Sequence, residues 1–171
     1  MDAQIRSLLK HNASVHKQTL LGEKEVPIDI TPLNVQRWRD ELDVFRDLNI
    51  INRYYGSNLY AVENHVQDEH SNLRIRSATL REGVDESAEG GLRVRYLKIF
   101  YEGSYKNIRR LEARYAESNS MYDNDRFLTM VFNDVYQAPL LTEYSIEGGQ
   151  KIVLGDSVNY RVRAQVLYTQ D

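Results

Sequence analysis

Ser157-Val158-Asn159-Tyr160-Arg161-Val162-Arg163-Ala164-Gln165-Val166-Leu167-Tyr168 decides the fold class. Val158, Tyr160, Val162, Ala164, Val166 and Tyr168 fall at every second position, and Asn159, Arg161, Arg163 and Gln165 fill the gaps. A period of two puts the first set on one face of a sheet and the second on the other. The segment therefore reads as a strand with one face turned to a core. The same period recurs upstream as far as residue 56. Leu140–Ile146 and Lys151–Leu154 read as a hairpin closed by Gly148-Gly149, which supply the positive φ of a tight turn. Arg126–Asn133 is short and apolar, and its period does not separate strand from helix.

Residues 92–115 read as another hairpin around the turn Glu102–Asn107. Leu92, Val94 and Tyr96 alternate with Arg93 and Arg95, but the phase flips at Tyr96-Leu97. Two registers in one strand predict a β-bulge and a curved sheet. Upstream lie a polar loop (82–91), an alternating run from Leu73 to Thr79, and a strand from Asn58 to Gln67. Before residue 56 the period is 3.6. Residues 2–21 read as a helix with Ile5, Leu8 and Leu9 on one face, Asp2 as cap and Gly22 as stop. Glu25–Ile30 contains Pro27 and reads as an extended edge piece. Thr31 as N-cap and Pro32 at the first position open a second helix, with Val35, Trp38, Leu42 and Phe45 on its buried face and its end at Leu48 or Asn49.

Helices followed by strands argue an α+β fold. The expectation is a single domain over 1–171: two N-terminal helices (about 1–55) packed on a curved, mainly antiparallel meander of about seven strands (about 56–171). The 171 residues suffice for a core without staples, and 42% hydrophobic with 27% charged residues is globular composition. There is no cysteine, so disulfides, thiol nucleophiles and thiolate metal sites are excluded. No apolar run is long enough for a transmembrane segment. The net charge of −3 argues against nucleic acid as partner.

Active-site signatures are missing. His11 and His16 are five apart, off the spacing at which two imidazoles share a metal. Glu63, His65, Gln67 and Glu69 share a strand face, where a carboxylate beside an imidazole can act as an acid–base pair or metal site; a polar outer face explains the same letters. Asp123-Asn124-Asp125 starts like a calcium loop, but Leu128 and Asp134 stand where glycine and glutamate are needed, which leaves an ordinary turn. The expectation is no enzyme, no catalytic residue, no metal and no cofactor.

Arginine and tyrosine are the informative excess, with 16 Arg against 6 Lys and 12 Tyr against 4 Phe. Arg74, Arg76, Arg93, Arg95, Arg110, Arg114, Arg161 and Arg163 tend to fall opposite apolar positions, as one arginine-studded outer face suited to an anionic partner. Cross-strand pairing with Glu63, Glu112 and Glu143 is the structural alternative. Tyrosine pairs an apolar body with a polar tip and suits binding faces. The candidate binding residues are Tyr96, Tyr101, Tyr115, Tyr160, Arg93 and Arg95.

Trp38…Leu42…Phe45-Arg46-Asp47-Leu48-Asn49, then Tyr96-Leu97-Lys98-Ile99-Phe100-Tyr101, Ile108-Arg109-Arg110-Leu111-Glu112-Ala113 and Asp156–Val162 together resemble the mature part of small uncharacterised bacterial envelope lipoproteins. The resemblance implies a periplasmic or outer-membrane-anchored protein, held by a lipidated cysteine upstream of Met1; without such a segment the chain is cytoplasmic. It carries no catalytic residues. In architecture alone the layout is similar to the half-barrel of bacterial lipoprotein carriers. The function expected is a non-enzymatic binding or scaffold domain of the cell envelope, and the alternative is a carrier of an apolar ligand or lipid between the curved sheet and the helices. Candidate partners are accordingly an apolar ligand or an envelope protein.

Overall fold

The computed structural model describes residues 2–22, 24–30, 33–84, 93–118, 121–152, 155 and 157–169. These form one nine-stranded antiparallel sheet carrying short helices on one face. In chain order the elements are α1 (Asp2–Lys10), β1 (Ser14–Leu21), β2 (Lys24–Ile30), α2 (Val35–Glu41), a 3₁₀ helix (Asp43–Leu48), α3 (Ile50–Arg53), β3 (Tyr60–Gln67), β4 (Arg74–Leu80), β5 (Val94–Tyr101), β6 (Ile108–Ser118), β7 (Tyr122–Val135), β8 (Ala138–Ile152) and β9 (Ser157–Leu167). The spatial order is β2-β1-β9-β8-β7-β6-β5-β4-β3. β3 to β9 are a meander, and the β1–β2 hairpin extends it at β9.

This overturns the arrangement of two helices over about seven strands. The last eight residues of the expected first helix are β1, and β1–β2 interrupts the helical part instead of preceding the sheet. The helix stops at Lys10 because Asn12 adopts the left-handed conformation (φ 44°). The Ala13 amide then bonds the Leu8 carbonyl at 2.9 Å and the Asn12 amide the Leu9 carbonyl at 3.2 Å. That pair of bonds is a Schellman termination, with Leu8 and Ala13 both buried in the core. Gly22 serves the β1–β2 turn instead. Pro27 stands on β2 at the sheet edge, as expected. The Gly22 amide bonds Asn159 of β9, so alternation along β1 aims the amides of Thr19 and Lys17 at β2. Pro27, opposite Gln18, then lies where its amide would face the free edge, so its missing donor costs no ladder bond and blunts that edge.

The second helix is also shorter than expected. Thr31 and Pro32 lie outside the described residues; the cap is Asn34, whose side chain accepts from the Arg37 amide at 2.9 Å. Val35 is 43% exposed, not buried. Leu42, Phe45 and Leu48 are buried and three apart, which matches the three-residue turn of the 3₁₀ segment that replaces the helix there.

The expected Gly148-Gly149 turn is absent. Both glycines lie inside β8, Gly148 opposite Arg126 on one side and Tyr160 on the other. A Cβ on Gly148 would stand 2.6 Å from the Asp125 carbonyl oxygen and 2.8 Å from the Tyr160 hydroxyl, so glycine is required by close approach, not by φ. The true β7–β8 turn is Tyr136-Gln137, both at positive φ (51° and 61°), a two-residue hairpin of the primed type. Its strain is held by Tyr136, stacked on His11 at 4.2 Å and donating to the Thr169 carbonyl at 2.7 Å. Asp123-Asn124-Asp125, expected as a turn, is strand, as is ambiguous 126–133.

The phase flip in β5 is a bulge: register slips between Val94 and Tyr96, leaving Arg95 as the extra residue. Further irregularities at Arg109, Thr142 and Asn64–His65 bend the sheet around one inner face. Onto that face α1, α2 and the 3₁₀ helix press Leu8, Trp38, Leu42 and Phe45 against Leu97, Ala113, Leu128, Tyr144 and Val166 in one continuous core. A polar cluster crosses it. Glu41 of α2 accepts a short hydrogen bond from the Tyr144 hydroxyl and pairs closely with Lys17 of β1, so the helix is clamped to two strands. Burial, then the nearby Glu41 carboxylate, push the Tyr144 phenol well above its ordinary pKa.

Candidate binding faces of the sheet

The helices cover only part of the inner face. Register fixes which residues share it: Leu21 pairs with Tyr160, Thr19 with Val26, Lys17 with Ile28, and Gln150 with Val158. Beyond the helices Leu21 (58%), Ile28 (41%), Val26 (40%) and Val158 (40%) leave large fractions of their apolar surface in water. These positions form a strip at the β2–β1–β9 side.

A polar network borders the strip. The Tyr160 hydroxyl donates to Asn124 Oδ1 at 3.3 Å, and Arg126 Nε donates to the same oxygen at 3.2 Å. The Arg126 guanidinium lies 5.5 Å from the centroid of the Tyr115 ring. Arg93 Nη1 donates to the Tyr115 hydroxyl at 3.1 Å, and Arg93 Nη2 pairs with Glu117 at 3.3 Å. Asn124 is buried, and its side-chain oxygen is satisfied twice over. Burial raises the Tyr160 phenol pKa, with Arg126 opposing. The network thus joins two arginines through two phenols, an amide and the Glu117 carboxylate.

Three expected site residues, Arg93, Tyr115 and Tyr160, belong to this network; the other three do not. Tyr96 pairs with Arg114 on the outer face. Arg95 is the bulged residue. Tyr101 lies on the inner face at the opposite end of β5, and β5 is four strand spacings, roughly 19 Å, from β9. The sequence located the alternating tyrosines, but bulges decide which face each reaches. Asn124 and Arg126 were missed, because an Asp/Asn-rich triplet read as a turn hides a strand.

The single arginine face is not formed either. Arg74 and Arg76 pair with Tyr101 and Ile99 on the inner face. On the outer face Arg110, Arg114 and Arg161 lie 3.0, 2.6 and 2.9 Å from Glu112, Asp125 and Glu147, and Arg163 shares Glu147 at 3.4 Å. Such half-exposed pairs contribute about 0–1 kcal/mol each. Phe100, buried on the outer face, is capped by the Arg110 guanidinium at 3.9 Å. Along β1, β9, β8 and β7 the outer face also holds an open groove of about 470 Å³, lined by His16, Gln18, Glu143, Ser145, Arg163 and Gln165 among others.

Glu63 and His65 do not share a face. The β3 irregularity leaves Asn64 and His65 opposite Arg76, with His65 at φ 60°. Glu63 accepts from Ser77 at 3.3 Å, while His65 turns to Tyr101. Among the described residues no three His, Asp or Glu side chains come together as a metal-ion cage. Nor is any helix among them long and apolar enough to cross a membrane. Comparison of the chain with protein-family models, curated proteins and solved structures finds no match.

Proposed function

We propose that this is a non-enzymatic binding domain of the bacterial cell envelope that takes a protein partner on the uncovered half of its inner sheet face. The observation that carries the reading is the apolar strip Leu21, Val26, Ile28 and Val158, flanked by the Arg93–Tyr115–Arg126–Asn124–Tyr160 network. Apolar surface beside ordered tyrosine and arginine is the composition of protein interfaces, where these residues dominate the binding energy. The envelope location rests on the resemblance of the residues quoted above. Close packing of Trp38, Leu42 and Phe45 on the sheet supports a partner surface over a ligand held between sheet and helices.

The test places a photo-crosslinking amino acid at Val26 or Val158, and at outer-face Lys98 as control, in the full native gene. A discrete protein adduct from both inner positions, absent from Lys98 and found in the envelope fraction, is expected. Equal adducts at all three positions, or none at the inner ones, would refute the reading.

A further inference from the structure

At the end of the inner face remote from that network, Arg74 and Arg76 of β4 stand with Tyr101 of β5, Tyr105 of the β5–β6 turn and His65 of β3. Arg74 pairs across the ladder with Tyr101, and Arg76 lies two residues along the same face. The Arg76 guanidinium sits 5.2 Å from the centroid of the Tyr105 ring, and that ring packs 4.4 Å from Tyr101. His65 Nδ1 and the Tyr101 hydroxyl are 2.7 Å apart, and the Tyr105 hydroxyl lies 3.4 Å from Asn64 Oδ1.

Three observations point beyond packing. First, neither guanidinium forms an ion pair among the described residues, whereas the outer-face arginines above each have a carboxylate within reach. Second, Arg76 Nε is buried with no hydrogen-bond partner, and a buried donor left unmade is costly. Third, the chain bulges at Asn64–His65 and holds a non-glycine residue at φ 60°. A regular strand would leave His65 on the face of Glu63; the bulge turns the imidazole to Tyr101 instead. Bulges and left-handed non-glycine residues that re-aim a side chain gather at functional sites. Burial, then the neighbouring Tyr105, raise the Tyr101 phenol above its ordinary pKa.

We propose that Arg74, Arg76, His65, Tyr101 and Tyr105 form a binding site for a phosphate-class oxyanion. Two arginines at i and i+2 on one strand face, their backbones roughly 7 Å apart, together match a dianion's charge. The unpartnered Arg76 Nε is a further donor beside them, and Tyr101, Tyr105 and His65 wall the site. This site is separate from the proposed partner surface and does not depend on it.

The test is a titration of the purified full chain with inorganic phosphate, followed by ¹⁵N–¹H correlation NMR at constant ionic strength. Saturable shifts confined to residues 64–67, 74–76 and 101–107 are expected, and their loss in Arg74→Gln and in Arg76→Gln. Arg74 is exposed, so its variant keeps the fold even if Arg76→Gln disturbs the bulge. Non-saturating shifts, shifts spread over the outer-face arginines, or unchanged saturation in Arg74→Gln would overturn the site.

Discussion

Replacing Gly148 by alanine tests the account of β8 directly. The new Cβ would start 2.6 Å from the Asp125 carbonyl oxygen and 2.8 Å from the Tyr160 hydroxyl. Carbon–oxygen contacts settle at roughly 3.3 Å or more, so the neighbours must yield by roughly 0.7 Å. The Asp125 carbonyl belongs to β7, which is paired on both sides by β6 and β8, and has little room to retreat. Overpacking of this kind costs about 1–3 kcal/mol. Alanine recovers about 0.5–1 kcal/mol of the conformational entropy that glycine loses in a strand. The net loss is about 0–2.5 kcal/mol, centred on about 1 kcal/mol, or a Tm drop of up to roughly 10 °C for a chain of this length. Gly149→Ala is the control. Its Cβ would meet Asn159 Oδ1 at 2.9 Å, a side-chain end that can rotate away, and otherwise only Val158 O at 4.0 Å. Its Tm should hold or rise slightly. Calorimetry with urea titration at constant m-value measures both. Equal losses at 148 and 149 would be the signature of a tight glycine turn and would refute the placement of both residues inside a strand.

Glu41→Ala leaves Lys17 and the Tyr144 hydroxyl without their shared partner beneath α2. The expected loss is about 2–4 kcal/mol by urea unfolding; a loss no larger than that of a half-exposed, ion-paired control, Glu112→Ala, would mean the clamp contributes nothing. At alkaline pH, Tyr96, Tyr101, Tyr144, Tyr160 and Tyr168 hold their protons above the ordinary phenol range, chiefly through burial. The unfolded chain releases those protons near pH ~10, so stability is full below that value and falls as pH rises through it. In an absorbance titration part of the twelve tyrosines should ionise only as circular dichroism is lost; complete ionisation of a still-folded protein would contradict the burial. Pro27→Val restores an outward amide on the free β2 edge. It should promote concentration-dependent dimers in light scattering, and a strictly monomeric variant would show that Pro27 does not guard that edge.

The strands rich in alternation were legible because their chemistry is local. β9 keeps its period of two without interruption, and Ala164 and Val166 are buried while Arg161, Arg163 and Gln165 are exposed. The β5–β6 hairpin and the bulge at Arg95 were visible in the phase flip at Tyr96-Leu97. The edge position of Glu25–Ile30 followed from Pro27. β1 was not legible: Ile5, Leu8 and Val15 fit a helical stripe, and only the left-handed Asn12 ends the helix early enough for Ser14–Leu21 to pair with β9, nearly the whole chain away. Gly148-Gly149 carried the letters of a turn, yet the ring of Tyr160 and the carbonyl of Asp125 reserve the space that a side chain would fill. The candidate sites divide in the same way. Sequence alone established that this chain has strand faces rich in arginine and tyrosine, because side-chain period is a property of the strand itself. Only the tertiary structure decided that Arg93, Tyr115 and Tyr160 lie in one network while Arg74, Arg76 and Tyr101 meet His65 elsewhere, because each bulge resets the face of every residue after it and strand order is fixed by long-range pairing.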